Sequence, residues 1–452
     1  MHRKRLASPG LTAILVLVAA ALAASAIAAA TASSASKGKV VVKVMTIGYP
    51  DKDSTDPVTG AKVPGIGHLE DAFEKANPSI DLKIINIPWG SGSTSYSAKT
   101  DAMIKAGDAC LYEMPDVQTY GRKGLVVDLS SLIKSDKHFK NVWGTQLQIN
   151  RSWGPNNPNS LFYLPDNTGI RVINWDAQLF KDYGVAPLSL HPTLKEIAAK
   201  AKKMTGTDPK TGEQTYGYWY QGKYAVWQFM AIGDALGATW GHVNKDGSLT
   251  IKWNTPKYVQ ALKWFVTMSK YAPKGALASD SMPDGFLTDQ NSVAIIPEGE
   301  QGYFIAPLIA KPELRSRFRT SFNLRGPNGH GGLNSVSPLA MATNCDNKAA
   351  AWTALKWLAG SPQAEKYYFE AGGRVPVTTN SAKLVPGLSQ LPDAKVIVGQ
   401  PQQADAPYPW ASDDPRWALQ TALEGALAGT LTPQQALNQA QKKTDTWLRQ
   451  QK

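Results

Sequence analysis

Histidine and cysteine are scarce, six and two in a chain of 452 residues. No zinc-ligand spacing surrounds Cys110 or Cys345, so neither reads as part of a metal cluster or a redox motif. An even count permits a disulfide in an exported protein, and spacing alone leaves the pairing open. G-x-S-x-G, H-E-x-x-H, P-loop and dinucleotide fingerprints are all missing. The glycine-rich "GPNGHGG" (326–332) precedes no helix and carries no Lys-Ser/Thr, so it reads as a turn with His330 exposed. Long runs of one charge are absent too. The densest basic stretch, "KPELRSRFR" (311–319), is broken by Glu313. The net charge of +12 therefore reads as a solvated surface, and no nucleic acid partner is expected. There is no internal repeat. With 43% hydrophobic and 19% charged residues, wholesale disorder is excluded.

What is present begins at the N-terminus. Arg3, Lys4 and Arg5 precede "LTAILVLVAAALAASAIAAA" (11–30), which carries no charge. Residues 1–30 read as a signal peptide cleaved at an Ala-x-Ala-like site or as a retained membrane anchor, with 31–39 a linker. Either way the folded part is expected outside the cytoplasmic membrane: periplasmic, secreted or anchored. Cleavage removes three positive charges from the net of +12, leaving +9.

Beyond the linker, strand and helix patterns alternate. "VVVKVMTIGY" (40–49) and "IDLKIINIPW" (80–89) read as strands around a helix at 68–78. A helix follows at 97–107, and "PDVQTY" (115–120) reads as the start of a buried strand. "LFYLPDNTGIRVIN" (161–174) is extended, and "NWDAQLFKDYGVAP" (174–187) is a strand end entering a short helix. Thr193 and Glu196 form a capping box for a helix to 204. "VAIIPEG" (293–299) and "PLAMAT" (338–343) are strands, and 347–360 is a helix packing Ala351, Trp352, Leu355 and Leu358. Ser361-Pro362 opens the next helix, Asp414-Pro415 another, and Thr432 with Gln435 caps the last. The alternation predicts an α/β fold whose parallel sheet presents ligands at the carboxyl ends of its strands.

Aromatic residues fall where a core does not obviously claim them. Trp89, Tyr96, Tyr120, Trp153, Trp219, Tyr220, Tyr224, Trp227, Trp240, Tyr408 and Trp410 lie mostly in loop-like or Gly/Pro-rich stretches. Pyranose rings stack on such faces while their hydroxyls need polar partners, for which Asp51, Asp166, Asn167, Glu298 and Asp413 stand nearby. Two facing carboxylates would also serve a glycoside hydrolase, so a secreted carbohydrate-active enzyme is the alternative.

The order of segments resembles the extracellular solute-binding proteins of ABC importers, in the carbohydrate-binding family that includes maltose-binding protein. The likeness rests on "AFEKANPSIDLKI" (72–84), "PDVQTYGRKGLVVDLS" (115–130), "INWDAQLFKDYGVAP" (173–187) with "TLKEIAAKAKKMT" (193–205), "NSVAIIPEG" (291–299), "NKAAAWTALKWLAGSPQAEKYYFEAGGRVPV" (347–377) and "ALEGALAGTLTPQQALNQAQ" (422–441). It implies two α/β lobes, 40–167 plus 338–385 and 168–337 plus 386–452, with crossings near 165–170, 333–338 and 380–386. It further implies a monomeric receptor, not an enzyme, that closes over a carbohydrate by hinge motion and docks on membrane permease subunits, with no cofactor. Carried over position by position, the ligand contacts are Tyr49, Asp51 and Lys52 after the first strand, Tyr120 in the first lobe, and Asp166 and Asn167 at the crossing. The second lobe contributes Trp219, Tyr220, Glu298, Tyr408 and Trp410. The family's tryptophan after the glycine turn is missing, and Tyr303 is the nearest aromatic. No lipobox cysteine occurs between residues 1 and 109, which excludes lipid anchoring by that route. The resemblance leaves a polyamine, peptide or metal chelate as the same fold's other ligands.

Overall fold

The computed structural model describes residues 38–450 except 57–59, 61, 89–95, 115–116, 137–159, 247, 276, 278–282, 284, 301, 377–382, 384–386, 405–407 and 411–413. The leader, Trp89, Trp153 and Asp413 lie outside the described residues, as does the expected crossing at 380–386 save Lys383.

The first strand, β1 (Val40–Ile47), is β-branched throughout its start and pairs parallel with β2 (Ile80–Ile87). Between them α1 (Gly67–Ala76) buries Leu69 and Phe73, and Asn77 ends it. Next come α2 (Tyr96–Ala106) and the short β3 (Leu111–Glu113), which lies parallel to β1 on its other side. The strand expected at 115–120 is therefore "LYE", and Val117–Arg122 is a helical turn, α3. The apolar trio Leu111, Tyr112 and Met114 carries the burial that the sequence reading assigned to the later residues.

The long strand β4 (Leu164–Asp176) is buried along all thirteen residues, and it changes partners part-way. Its first half, to Ile170, pairs antiparallel with β7 (Asn334–Met341). From Arg171 on it pairs antiparallel with β5 (Ile295–Glu300) on one register and β6 (Phe318–Ser321) on another. β7 in turn pairs with β3. The strand order is β5-β4-β7-β3-β1-β2 with β6 also on β4, so the sheet is mixed, parallel only in its first-lobe part. At the change of partners a further segment joins, where Thr168 and Val375 exchange backbone hydrogen bonds of 2.9 and 3.1 Å.

Apolar packing follows the same division. Residues from Val42 to Leu164 and from Leu339 to Tyr368 build cores on the β1 side. Residues from Ile170 to Leu333 and from Leu388 to Trp447 build a larger one, which also takes in Phe369 and Val375. The second core holds α4 (Ala177–Asp182), α5 (Leu194–Lys203), α6 (Ala225–Ala235), α7 (Pro256–Thr267) and α8 (Gly302–Ala310). α9 (Lys348–Leu358) and α10 (Pro362–Gly372) return to the first, and Ser361 caps α10 at the Ala364 N–H. The chain ends with α11 (Ala394–Gln403), α12 (Asp414–Leu427) and α13 (Pro433–Gln450).

Local signals place these helices. Asp176 ends β4 and caps α4, accepting from the Gln178 and Leu179 N–H groups. Thr193 caps α5 at the Glu196 N–H, but the Glu196 carboxylate turns to Ser189 and Lys200, so the box is one-sided. At α13 the box is reciprocal: the Gln435 N–H donates to Thr432 Oγ1, and the Thr432 N–H to Gln435 Oε1. Cys110, just before β3, is bonded to Cys345, just after β7, and so settles the pairing left open above.

Candidate functional site

The change of partners along β4 leaves a buried polar group on either side of it, one toward each lobe. Asn167 is fully buried and donates through Nδ2 to the Tyr49 hydroxyl at 3.2 Å and to Asp166 Oδ1 at 2.8 Å. Tyr49 follows β1 and packs against Tyr367 and Tyr368 of α10, with ring centroids 5.9 and 5.7 Å away. Glu113, at the carboxyl end of β3, accepts from the Ile47 N–H at 3.2 Å. Arg374, just past α10, supplies the local positive charge.

Burial raises the Asp166 carboxyl well above its ordinary range, the Glu113 charge pushes the same way, and Arg374 opposes both. Glu113 is raised too, again by burial first and against Arg374. The same burial and the two carboxylates push the Tyr49 phenol up. Two buried carboxyls thus face one guanidinium, an arrangement costly in an unliganded protein.

The turn after β1 is fixed from β2. Asn86 Nδ2 donates to the Tyr49 carbonyl at 2.6 Å and to Asp51 Oδ1 at 2.8 Å, while its Oδ1 accepts from the Tyr49 N–H at 3.2 Å. Asp51 and Lys52 remain exposed above this turn.

From the second lobe, Arg171 points Nη1 at Gln221 Oε1 and at the Glu298 carbonyl, both at 3.2 Å. Its guanidinium lies 5.8 Å from the Tyr224 ring, and that of Arg416, on the first turn of α12, lies 5.7 Å from the same ring and 5.1 Å from Trp227. Glu298 is buried at a bulge of β5 with φ of +56°. Its Oε1 accepts from Asn323 Nδ2 at 2.6 Å, and Asn323 also donates to the Arg171 carbonyl. Gly299 is required here, since a Cβ would stand 2.4 Å from Asn174 Nδ2.

Of the residues expected from sequence, the structure brings Tyr49, Asp166, Asn167 and Glu298 to the crossing, with Asp51 and Lys52 above Tyr49. Others it places elsewhere. Tyr120 sits in the first lobe's core and donates its hydroxyl to Asp101 Oδ1 at 2.7 Å. Tyr220 donates its hydroxyl to the Phe265 carbonyl inside the second core, and Trp219 is buried beside it. Trp410 has no exposed surface: it stacks on Tyr408 at 4.9 Å and meets the edge of Trp253 at 4.8 Å, with Trp227 at 6.2 Å. These aromatics looked like loop platforms because most of what covers them, such as Phe265 over Tyr220 and Trp253 and Trp227 over Trp410, is distant in sequence. Tyr303 lies on α8, and its side chain is outside the described residues.

Sequence reasoning missed Glu113, Arg171, Arg374 and Arg416. Glu113 had a findable signal, a lone acid ending an otherwise apolar strand, "CLYEM". Among the described residues no group of three His, Cys, Asp or Glu side chains could hold a metal, and no helix is long and apolar enough to cross a membrane.

Residues 58–365 match the model of the family described as bacterial extracellular solute-binding protein. The chain belongs to that family. Its members are solute-binding proteins that work outside the cytoplasm, which is therefore where this solute-binding protein acts. Solved structures share the fold across nearly the whole chain. An ABC substrate-binding protein from Listeria monocytogenes, in complex with cycloalternan, covers 90% of this chain and 99% of its own at TM-score 0.66 and 21% identity. The maltose-bound MalE3 of T. maritima covers 90% and 100% at 0.66 and 16%. An ABC transporter solute-binding protein from Agrobacterium vitis S4, with bound D-mannitol, covers 91% and 98% at 0.64 and 16%. The α/β fold with two lobes joined at crossing strands is that of these proteins.

Proposed function

We propose that this solute-binding protein is the receptor of an ABC importer for a carbohydrate, an oligosaccharide by preference, held between the lobes and handed to membrane permease subunits. The observation that carries the reading is the pair of polar groups that flank the change of partners along β4. Glu113, Asp166, Asn167 and Tyr49 from one lobe, with Arg171, Glu298 and Arg416 from the other, offer acceptors and donors in fixed directions beside aromatic rings. A polyhydroxylated ligand can satisfy both kinds of group at once, which a bare ion or an apolar molecule cannot. The structurally similar proteins solved with cycloalternan, maltose and D-mannitol support the class.

The ligand contacts are Tyr49, Asp51, Lys52, Asp166, Asn167 and Glu298, joined by Glu113, Arg171, Tyr224, Arg374 and Arg416. Trp219, Tyr220, Tyr408 and Trp410 back them from the second core. The lobes are 40–167 plus 338–385 and 168–337 plus 386–452, and ligand bridging them favours the closed state. The protein acts as a monomer, exported by its N-terminal segment, and turns over no substrate.

Thermal melting over a panel of mono- and oligosaccharides tests this, with product analysis on the same samples. A rise in melting temperature with unchanged sugar is the expected result. Hydrolysis would establish the enzyme alternative, and a response confined to polyamines, peptides or metal chelates would move the ligand to another class.

A further inference from the structure

We propose that the groove between α12 and α13 is a second saccharide-binding surface, with Trp417 as its stacking platform. Trp417 is 48% exposed, the most exposed large apolar side chain among the described residues. It forms one wall of a groove of about 670 Å³, within the usual size of a small-molecule site.

The lining is unusual for two packed helices. Residues at helical spacing that face a neighbouring helix are normally apolar. The lower stripe of α13 obeys this: Ala436, Leu437, Ala440 and Trp447 are buried, and Trp447 still lines the groove together with Ala418 of α12. The upper stripe does not. Gln439, Lys442, Lys443 and Thr446 repeat at the same three- and four-residue spacing, yet all are polar and exposed. Across the groove, α12 offers Asp414 and Trp417. The apolar part of the lining is Trp417, Trp447 and Ala418, with no aliphatic side chain larger than alanine, which speaks against an apolar peptide or helix as occupant.

The polar groups are also unspent. Asp414, Trp417, Gln439, Lys442 and Lys443 make no side-chain hydrogen bond among the described residues. One flat indole, one amide, one carboxylate and two ammonium groups therefore stand ready around a shallow space. That set matches a pyranose, whose apolar face covers an indole while its rim of hydroxyls both donates and accepts. The Arg416 guanidinium lies over the Trp417 ring at 4.5 Å. Arg416 thus borders both this groove and the crossing, and Asp166, on the far side of the crossing, separates the two in the test.

The test uses the full mature chain labelled with 5-fluorotryptophan, the Trp417 resonance being assigned by its loss in Trp417→Phe. Maltohexaose, cellohexaose, xylohexaose and an anionic galacturonate hexamer are titrated to millimolar concentration. A saturable shift of the Trp417 resonance with a neutral hexamer is expected. It should persist in Asp166→Asn and weaken by about tenfold in Gln439→Ala, as the loss of a well-placed partner implies. Melting temperatures of ligand-free Trp417→Phe and Gln439→Ala should match the wild type, because both side chains are at the surface. No movement of Trp417 with any hexamer overturns the proposal. So does a response to the anionic hexamer alone, a shift abolished by Asp166→Asn, or affinity unchanged in Gln439→Ala. A ligand-induced rise in melting that survives in Trp417→Ala keeps the crossing's function separate from these outcomes.

Discussion

At the scale of single residues, the protein's polar and aromatic side chains divide by what encloses them. Asp166 and Glu113 are both raised by burial, and Asp166 also by the Glu113 charge, so the native state holds protons that the unfolded chain releases near its ordinary range of about 4. A raised carboxyl lowers stability as pH climbs through that interval toward neutrality. Asp128 and Glu196 are lowered and run the opposite way, so the contribution is read as a difference between wild type and variant. Asp166→Asn is expected to raise the melting temperature of the ligand-free protein near neutral pH, with the gain shrinking in acid. The same variant should lose the ligand-induced rise. A gain independent of pH would mean that the carboxyl is ionised without cost. Trp410 illustrates the other case. Its complete burial among Tyr408, Trp227 and Trp253 makes Trp410→Ala a core deletion, expected to cost about 3–5 kcal/mol in urea unfolding. The loop setting of Trp410 in the sequence favoured weakened binding without unfolding, and an unchanged unfolding midpoint would restore that reading.

At the scale of elements, hydrophobic periodicity and capping chemistry were enough to find most helices and strands. The Thr432–Gln435 box is legible because its chemistry is local: each partner lies three residues from the other. Thr432→Ala should accordingly cost about 1 kcal/mol, measured by the same unfolding experiment. The short strand β3 was misplaced because "PDVQTY" has the composition of a strand start, whereas three residues of "LYE" are too few to show a period. The candidate site was half legible. Asp166 and Asn167 stand in the long extended run that also advertises the crossing. Arg171 lies on that same strand, but whether it faces its own lobe or the cleft depends on the pairing with β5. Arg374 follows a helix C-terminus, where a basic residue is unremarkable, and Arg416 lies in a first helical turn with no local pattern to mark it. The antiparallel pairing of β4 with β5, β6 and β7 could not be read from alternation of strand and helix, which argues only for parallel neighbours.

At the scale of the whole molecule, two cores meet where β4 changes partners, and the backbone bonds of Thr168 with Val375 tie a further segment to that junction. Closure around a ligand should reduce the radius of gyration in small-angle scattering, and an unchanged radius in the presence of a saturating sugar would argue against hinge motion. The Cys110–Cys345 bond spans 235 residues, for which loop-closure entropy gives about 5 kcal/mol of stabilisation. Reduction should therefore lower the melting temperature markedly, and Cys345→Ser should do the same without reductant.

That bond also makes the stretch from β3 to β7, which holds the larger part of the second core, a covalently closed excursion. The chain leaves the first lobe along β4 and returns along β7, and the cystine ties β3 to β7 across the gap between departure and return. A protease that cuts once anywhere between residues 111 and 344 would leave two polypeptides that still migrate as one on a non-reducing gel and separate only with thiol. For a solute-binding protein working outside the cytoplasm, a severed backbone need not mean a lost fragment.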